Sequence, residues 1–222
     1  MKIPQFPECR HSLIEAIADC SDRDLLMQFQ QDPLAGRYFV ALFCRYGPLV
    51  YSLVQHAAAN SEEAGYRFAQ VWKQIYADLP QLDLDVEDDQ QADHTTGIAE
   101  LATPPITLQN WIVNSATRYL NSFTESEDGA EQSPAQAGRY ALAYAPPPLW
   151  CYLDQAIAQL PPLHRLVVIL HRTFGWPLEE VADYLNAKGA DIAPDAVAAL
   201  LEEGFYQLDT ELPQDIREIY LA

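Results

Sequence analysis

The sequence predicts an all-α protein of two helical domains, an N-terminal helix bundle followed by a C-terminal helix-turn-helix domain. Apolar residues recur at intervals of three and four along most of the chain, which is the period of one helix face. Pro, Gly and acid-rich stretches interrupt these segments where helices start and stop. No stretch alternates apolar and polar residues in the manner of a half-buried strand. The clearest unit is residues 160–185, LPPLHRLVVILHRTFGWPLEEVADYL. Leu163, Leu166, Val167, Leu170 and Phe174 mark one apolar helix, Gly175 breaks it, and Pro177 opens a second, short amphipathic helix containing Val181 and Leu185. That is the pattern of a helix-turn-helix.

Taken in order, residues 12–18 carry a short helical pattern, and Ser21-Asp22-Arg23-Asp24 supplies an N-cap hydroxyl and first-turn acids ahead of LLMQFQQ. After Pro33, Phe39, Leu42, Phe43, Tyr46, Val50, Leu53 and Val54 keep helical register. They predict a long buried helix, with Gly47-Pro48 as the place for a bend. Asn60-Ser61-Glu62-Glu63 caps a third long helix whose stripe is Phe68, Val71, Trp72, Ile75, Tyr76 and Leu79. Residues 80–104 then turn acidic and poor in aromatics, the composition of a solvated insertion. Asp83, Asp85, Glu87, Asp88 and Asp89 lack the central Gly and terminal Glu of a calcium loop. LQNWIVNSATRYLNSF returns to helix and closes the first domain, residues 1–123.

Residues 124–148 have linker composition, and Pro146-Pro147-Pro148 should be stiff and extended. The second domain, residues 149–222, is expected to hold helices over residues 152–159, 162–173, 178–186 and 194–208. The break at residues 186–193 is longer than the turn usual within a recognition unit.

Charge restricts function. The chain has 32 acidic against 13 basic residues, a formal net charge of -19. Only residues 1–80, with nine acids and seven bases, are near neutral; residues 151–222 carry twelve acids and four bases. Such a balance weakens attraction to nucleic-acid phosphates unless a local basic patch remains. Arg37, Arg45, Arg67 and Lys73 are the best residual set, and scattered solvated charges are the plainer reading of them. The start, MKIPQFPECRHS, has no apolar leader stretch and no apolar run could span a bilayer. The expectation is a soluble cytoplasmic protein without a membrane partner. Cys9, Cys20, Cys44 and Cys151 show no CxxC spacing, so reduced, partly buried thiols are expected.

The order of these pieces resembles the bacterial RNA polymerase sigma-70 family in its small extracytoplasmic-function form. In the second domain, Leu160-Pro161, Arg165, Val168-Ile169-Leu170, Phe174-Gly175-Trp176, Leu178-Glu179-Glu180-Val181-Ala182 and Leu185 fall where that family shows those residue types. The helix-turn-helix positions the resemblance assigns are Gly175, Trp176, Glu180, Ala182, Leu185 and Val197. The first domain resembles the family's polymerase-binding and promoter-opening module through Asp24-Leu25-Leu26, Phe29, Phe43, Tyr46, the helix over residues 66–76 and Trp111-Ile112.

The resemblance implies RNA polymerase core as partner, with Tyr66, Ala69, Trp72 and Lys73 in the polymerase-binding segment. It places Trp111, Arg118 and Tyr119 in promoter opening, and makes promoter DNA the second implied partner. It implies no cofactor. In the polymerase-gripping segment Tyr66 and Ala69 replace the family's acid and amide, and after Trp111 the basic and aromatic residues thin to Arg118, Tyr119 and Phe123. Where the family places Arg and Lys in its recognition helix, this chain reads Asp195-Ala196-Val197-Ala198-Ala199-Leu200-Leu201-Glu202-Glu203. Such a helix lacks the donors that reach guanine edges and phosphates. The alternative is therefore a sigma-derived interaction module that has lost DNA binding and holds a protein partner through acidic helical surfaces.

Other chemistry finds little support. His164 and His171 share a helical face, but no third or fourth zinc ligand stands at a fitting spacing. No phosphate loop, nucleophile elbow or Cys-His signature occurs, so an enzyme is not expected. Trp72 and Trp111 lie on apolar stripes, where burial is a simpler role than stacking on unpaired bases.

Overall fold

In the computed structural model, the described residues are 4–83, 107–126 and 145–221, without the side chains of residues 123–126. The greater part of the acidic insertion and of the linker, with the side chain of Phe123, lies outside them. Among the described residues there are ten α-helices and no strand. Contacts group the chain into two units, Met1–Pro148 and Leu149–Ala222.

The first unit begins with a 3-10 turn, Pro7–Arg10, and a single helical turn, α1 (Ser12–Glu15). In α2 (Asp22–Gln31) the Ser21 hydroxyl accepts from the Asp24 backbone N–H at 3.1 Å and donates to its carboxylate at 2.7 Å, a reciprocal cap on the first-turn donors. The long apolar run forms one helix, α3 (Gly36–Ala57), which continues through Pro48. At the start of α4 (Ser61–Asp78), Asn60 accepts from the Glu63 N–H and Glu63 accepts from the Ala59 N–H, at 2.9 and 2.8 Å. The helix α5 (Leu108–Ser126) completes the bundle. Here α3 is the central element, packed on α2, α4 and α5, and α4 also packs on α5.

The core is aromatic. Phe29, Phe39, Phe43, Phe68 and Trp72 are fully buried. Phe39 and Phe43 meet the Trp72 ring edge-on at 5.9 and 5.0 Å, and Phe39 meets Tyr76 at 4.7 Å. Each such ring pair adds about 0.5–1.5 kcal/mol beyond its buried area.

Several cations of this unit serve its packing. Arg45 donates to the Ala18 and Cys20 carbonyls at 3.0 and 2.8 Å and pairs with Asp22, while Tyr46 donates to the same carboxylate. Burial first, and this hydrogen bond second, push the Tyr46 phenol well above its ordinary range. The buried Arg67 pairs with Glu63 and donates to the Ala57 carbonyl at the end of α3. Arg45 and Arg67 are thus interhelical ties rather than the scattered solvated charges expected from sequence. The cysteines differ from expectation too: Cys9 and Cys44 form a disulfide with Cα atoms 5.5 Å apart, while Cys20 and Cys151 remain thiols outside it. Spacing along the chain did not show the pair because the fold brings the N-terminal turn onto α3.

The second unit comprises α6 (Pro147–Gln159), α7 (Pro162–Val168), α8 (Leu178–Ala187), α9 (Pro194–Glu211) and α10 (Gln214–Tyr220). The prolines expected to be extended instead lead into helix, with Pro147 and Pro148 in the first turn of α6. There the missing N–H costs nothing, since first-turn donors have no intrahelical acceptor. The short helix α10, not anticipated from sequence, buries Ile216 and is tied to α9 by Arg217 and Asp209, 3.5 Å apart.

Candidate functional site

The helix-turn-helix is built from α7, α8 and α9. The last turn of α7 widens into a π-helical segment, Ile169–Thr173. Its exit is made by Gly175 at φ +70, beyond which the Trp176 N–H reaches back to the Leu170 carbonyl at 3.1 Å. Only glycine adopts that conformation without strain. His171 Nδ1 bonds the Trp176 carbonyl at 2.9 Å and fastens the turn a second time.

This exit changes the predicted apolar face. Val167, Val168 and Leu170 are buried, Leu163 and Leu166 are half-buried, and Phe174 stands half-exposed beyond the helix end. Phe174 was expected on the core stripe. The widened turn shifts its phase off a 3.6-residue register.

Val181, Ala182 and Leu185 form the buried face of α8. The long break that follows is held by one side chain. Asn186 accepts from the Ile192 N–H at 2.7 Å and donates to the Ile192 carbonyl at 3.0 Å. Gly189, at φ +91, makes the bend between them. An extended loop thereby becomes a fixed hinge that sets the direction of α9.

Val197, Leu201, Gly204 and Leu208 are buried on α9 at helical spacing, and α9 packs on both α7 and α8. Closest approach falls at Gly204, where a built Cβ would stand 2.9 Å from Val168 Cγ2. Beside it, His164 Nε2 lies 3.3 Å from Glu203. The outward surface of α9 presents Asp195, Ala196, Ala199, Glu202, Glu203, Tyr206, Asp209 and Glu211. Glu179, Glu180 and Asp183 are exposed on α8. No Lys or Arg lies on α9. Of the nearby cations, Arg172 sits over the Phe205 ring at 5.0 Å and Lys188 over Tyr184 at 5.8 Å. A helix in this position can meet a positively charged surface; toward phosphate it offers repulsion.

The predicted helix-turn-helix residues therefore come together in one unit with different tasks. Gly175 and Trp176 make the turn, with Trp176 edge-on to Tyr184 at 5.7 Å. Ala182, Leu185 and Val197 are packing residues, and Glu180 is exposed. Sequence reasoning missed Asn186 and Gly204. An Asn closing a helix ahead of Lys-Gly, and a Gly inside a helical pattern, were the available signals.

In the first unit, Tyr66, Ala69, Trp72 and Lys73 lie on α4, and Trp111, Arg118 and Tyr119 on α5. Ala69 and Trp72 are fully buried, so within the polymerase-binding set only Tyr66 and Lys73 keep partly exposed side chains. Tyr66 accepts a hydrogen bond from Gln70 at 2.9 Å. Burial, and secondarily the charge of Tyr66, raise the Tyr119 phenol above its ordinary range. Trp111 is half-buried, and the exposed Arg118 reaches Ser115 at 3.4 Å. Among the described residues no three His, Cys, Asp or Glu side chains gather as a metal site, and no helix is long and apolar enough to cross a membrane.

Residues 152–201, from α6 into α9, match the family model described as Sigma-70, region 4. No curated protein and no solved structure matches the chain.

Proposed function

We propose that this chain, whose residues 152–201 match the family model Sigma-70, region 4, is a sigma-70 family member that engages RNA polymerase core in the cytoplasm as a sigma-like transcription protein. Region 4 belongs to a family of transcription factors that are not enzymes, so the reading is one of binding and positioning. The observation that carries it is the match itself, seated on a complete helix-turn-helix whose turn, hinge and packing glycine are all in place.

Within this reading the first unit binds the polymerase through the partly exposed Tyr66 and Lys73 on α4, and Trp111, Arg118 and Tyr119 on α5 face the promoter. The second unit holds α9 toward the upstream partner. The experiment is titration of labelled full-length protein with core polymerase, followed by promoter-dependent transcription. Saturable binding and a defined start site are expected; absence of any binding to core removes the reading.

A specific observation favours a second reading. The outward face of α9 carries Asp195, Glu202, Glu203, Asp209 and Glu211 and no base, which suits a protein partner better than DNA. On this reading the helix-turn-helix is kept as a scaffold and its acidic surface holds a basic protein segment. Binding of core polymerase without a defined start site, and without DNA binding at low salt, selects it.

A further inference from the structure

We infer that the Cys9–Cys44 disulfide is a redox-operated latch that holds the N-terminal segment closed over the junction of Phe43 on α3 and Phe68 on α4. This latch stands or falls independently of polymerase binding. The segment is a short strap: Phe6 leads into the Pro7–Arg10 turn, and both that turn and α1 pack on α3.

Phe6 is the plug of this strap. Its ring meets Phe43 edge-on at 4.9 Å and stacks on Phe68 at 5.8 Å, and its edge lies 3.4 Å from where a Cβ on Gly47 would stand. The absence of a side chain at Gly47 makes room for it. Adjacent residues of α3 hold the strap at two points, Cys44 by a covalent bond to Cys9 and Arg45 by hydrogen bonds to the Ala18 and Cys20 carbonyls. Cutting the first hold leaves the second, so the opening is confined to the part ahead of α1.

Two further features make the bond operable. Cys9 and Cys44 are half-buried, unlike the buried Cys151, and the reductant the latch would meet is a small dithiol. Its thiolate attacks one sulfur and its second thiol resolves the mixed disulfide. The protein gains two electrons and two protons as two thiols, and the reductant leaves as its own disulfide. This step rests on the cytoplasmic location proposed above, since disulfides in reducing compartments are characteristically transient or redox-sensing. What reduction uncovers is the apolar junction of Phe43 and Phe68, otherwise roofed by Phe6.

The test uses full-length protein purified without reductant. Alkylation under denaturing conditions and intact mass should give two labels, at the Cys20 and Cys151 thiols outside the disulfide, and four after dithiothreitol, one for each cysteine in the chain. Hydrogen exchange is then compared in the two states. The Cys9 and His11 amides, bonded to Phe6 and Glu8 carbonyls, should exchange on the order of a hundredfold faster after reduction, the loop-closure effect of such a bond expressed as an equilibrium constant. Protection in α3 away from the strap and the helical circular dichroism should be unchanged. Anilinonaphthalene sulfonate fluorescence should rise. C9S should show the reduced-state exchange with or without dithiothreitol; if C9S does not fold, titration of the unaltered chain with dithiothreitol gives the same reading. Four labels before reduction, equal exchange in both states, or loss of helix throughout the unit on reduction would each overturn the latch.

Discussion

Gly204 and Asn186 show how much of this molecule rests on single side chains. A methyl group at residue 204 would press on Val168 Cγ2 at 2.9 Å and approach His164, so α9 and α7 must part or Val168 must change rotamer. Gly204→Ala should therefore lower stability by about 1–3 kcal/mol despite its better helix propensity, read as a lowered thermal midpoint. The opposite sign would mean that the neighbouring side chains yield easily. Asn186→Ala removes both bonds to Ile192 and should cost about 1–3 kcal/mol while speeding exchange at the Ile192 amide.

Tyr46 gives a pH dependence whose sign follows from its raised folded-state pKa. An unfolded tyrosine ionises near about pH 10, while Tyr46, buried and bonded to Asp22, stays protonated beyond that. Its contribution is complete below that point and is lost as the pH climbs toward the folded value. Alkaline unfolding of Tyr46→Phe should therefore begin at higher pH than that of the unaltered chain, although the variant loses the Asp22 bond at neutral pH.

At the scale of the element, the contrast between α7 and α9 explains what could be read in advance. Helical periodicity and the Ser21 and Asn60 caps made α2 to α4 legible, since those signals are local and the structure uses them as written. Gly175 was legible for the same reason. The π turn was not, because widening a helix by one residue per turn leaves no mark in a pattern of apolar spacing; it moved Phe174 out of the core. The Pro146-Pro147-Pro148 run misled because proline suits an extended chain and a helix first turn equally. The disulfide joins residues 35 apart in sequence, and nothing local records such a pairing.

The charge of α9 was legible in advance. Replacing Glu202 and Glu203 by Lys reverses the charge of the exposed face and gives up the Glu203 contacts with His164 and Gln207, while Val197, Leu201 and Leu208 stay as they are. If charge is what keeps this helix from DNA, the double variant should bind duplex DNA where the parent does not. Each new phosphate neutralised should add about 0.9 to the slope of log affinity against log salt. Equal absence of binding in both proteins would mean that the geometry of α9, rather than its charge, excludes the groove.

For the whole molecule, the balance of 32 acids against 13 bases acts as a field as well as through close pairs. It slows approach to nucleic acid and favours basic surfaces. The two units also differ in what ties them to the family: the region 4 match falls wholly in the second, while the roles of Tyr66, Lys73, Trp111, Arg118 and Tyr119 rest on resemblance.

Polymerase engagement is tested most directly by equilibrium binding of the labelled full-length chain to core RNA polymerase, read as fluorescence anisotropy, with Lys73→Glu and Tyr66→Ala measured beside it. Saturable binding is expected, weakened by either substitution at these partly exposed α4 positions, about tenfold for each 1.4 kcal/mol of binding free energy removed. No saturable binding by the unaltered chain, at low or physiological salt, would contradict it.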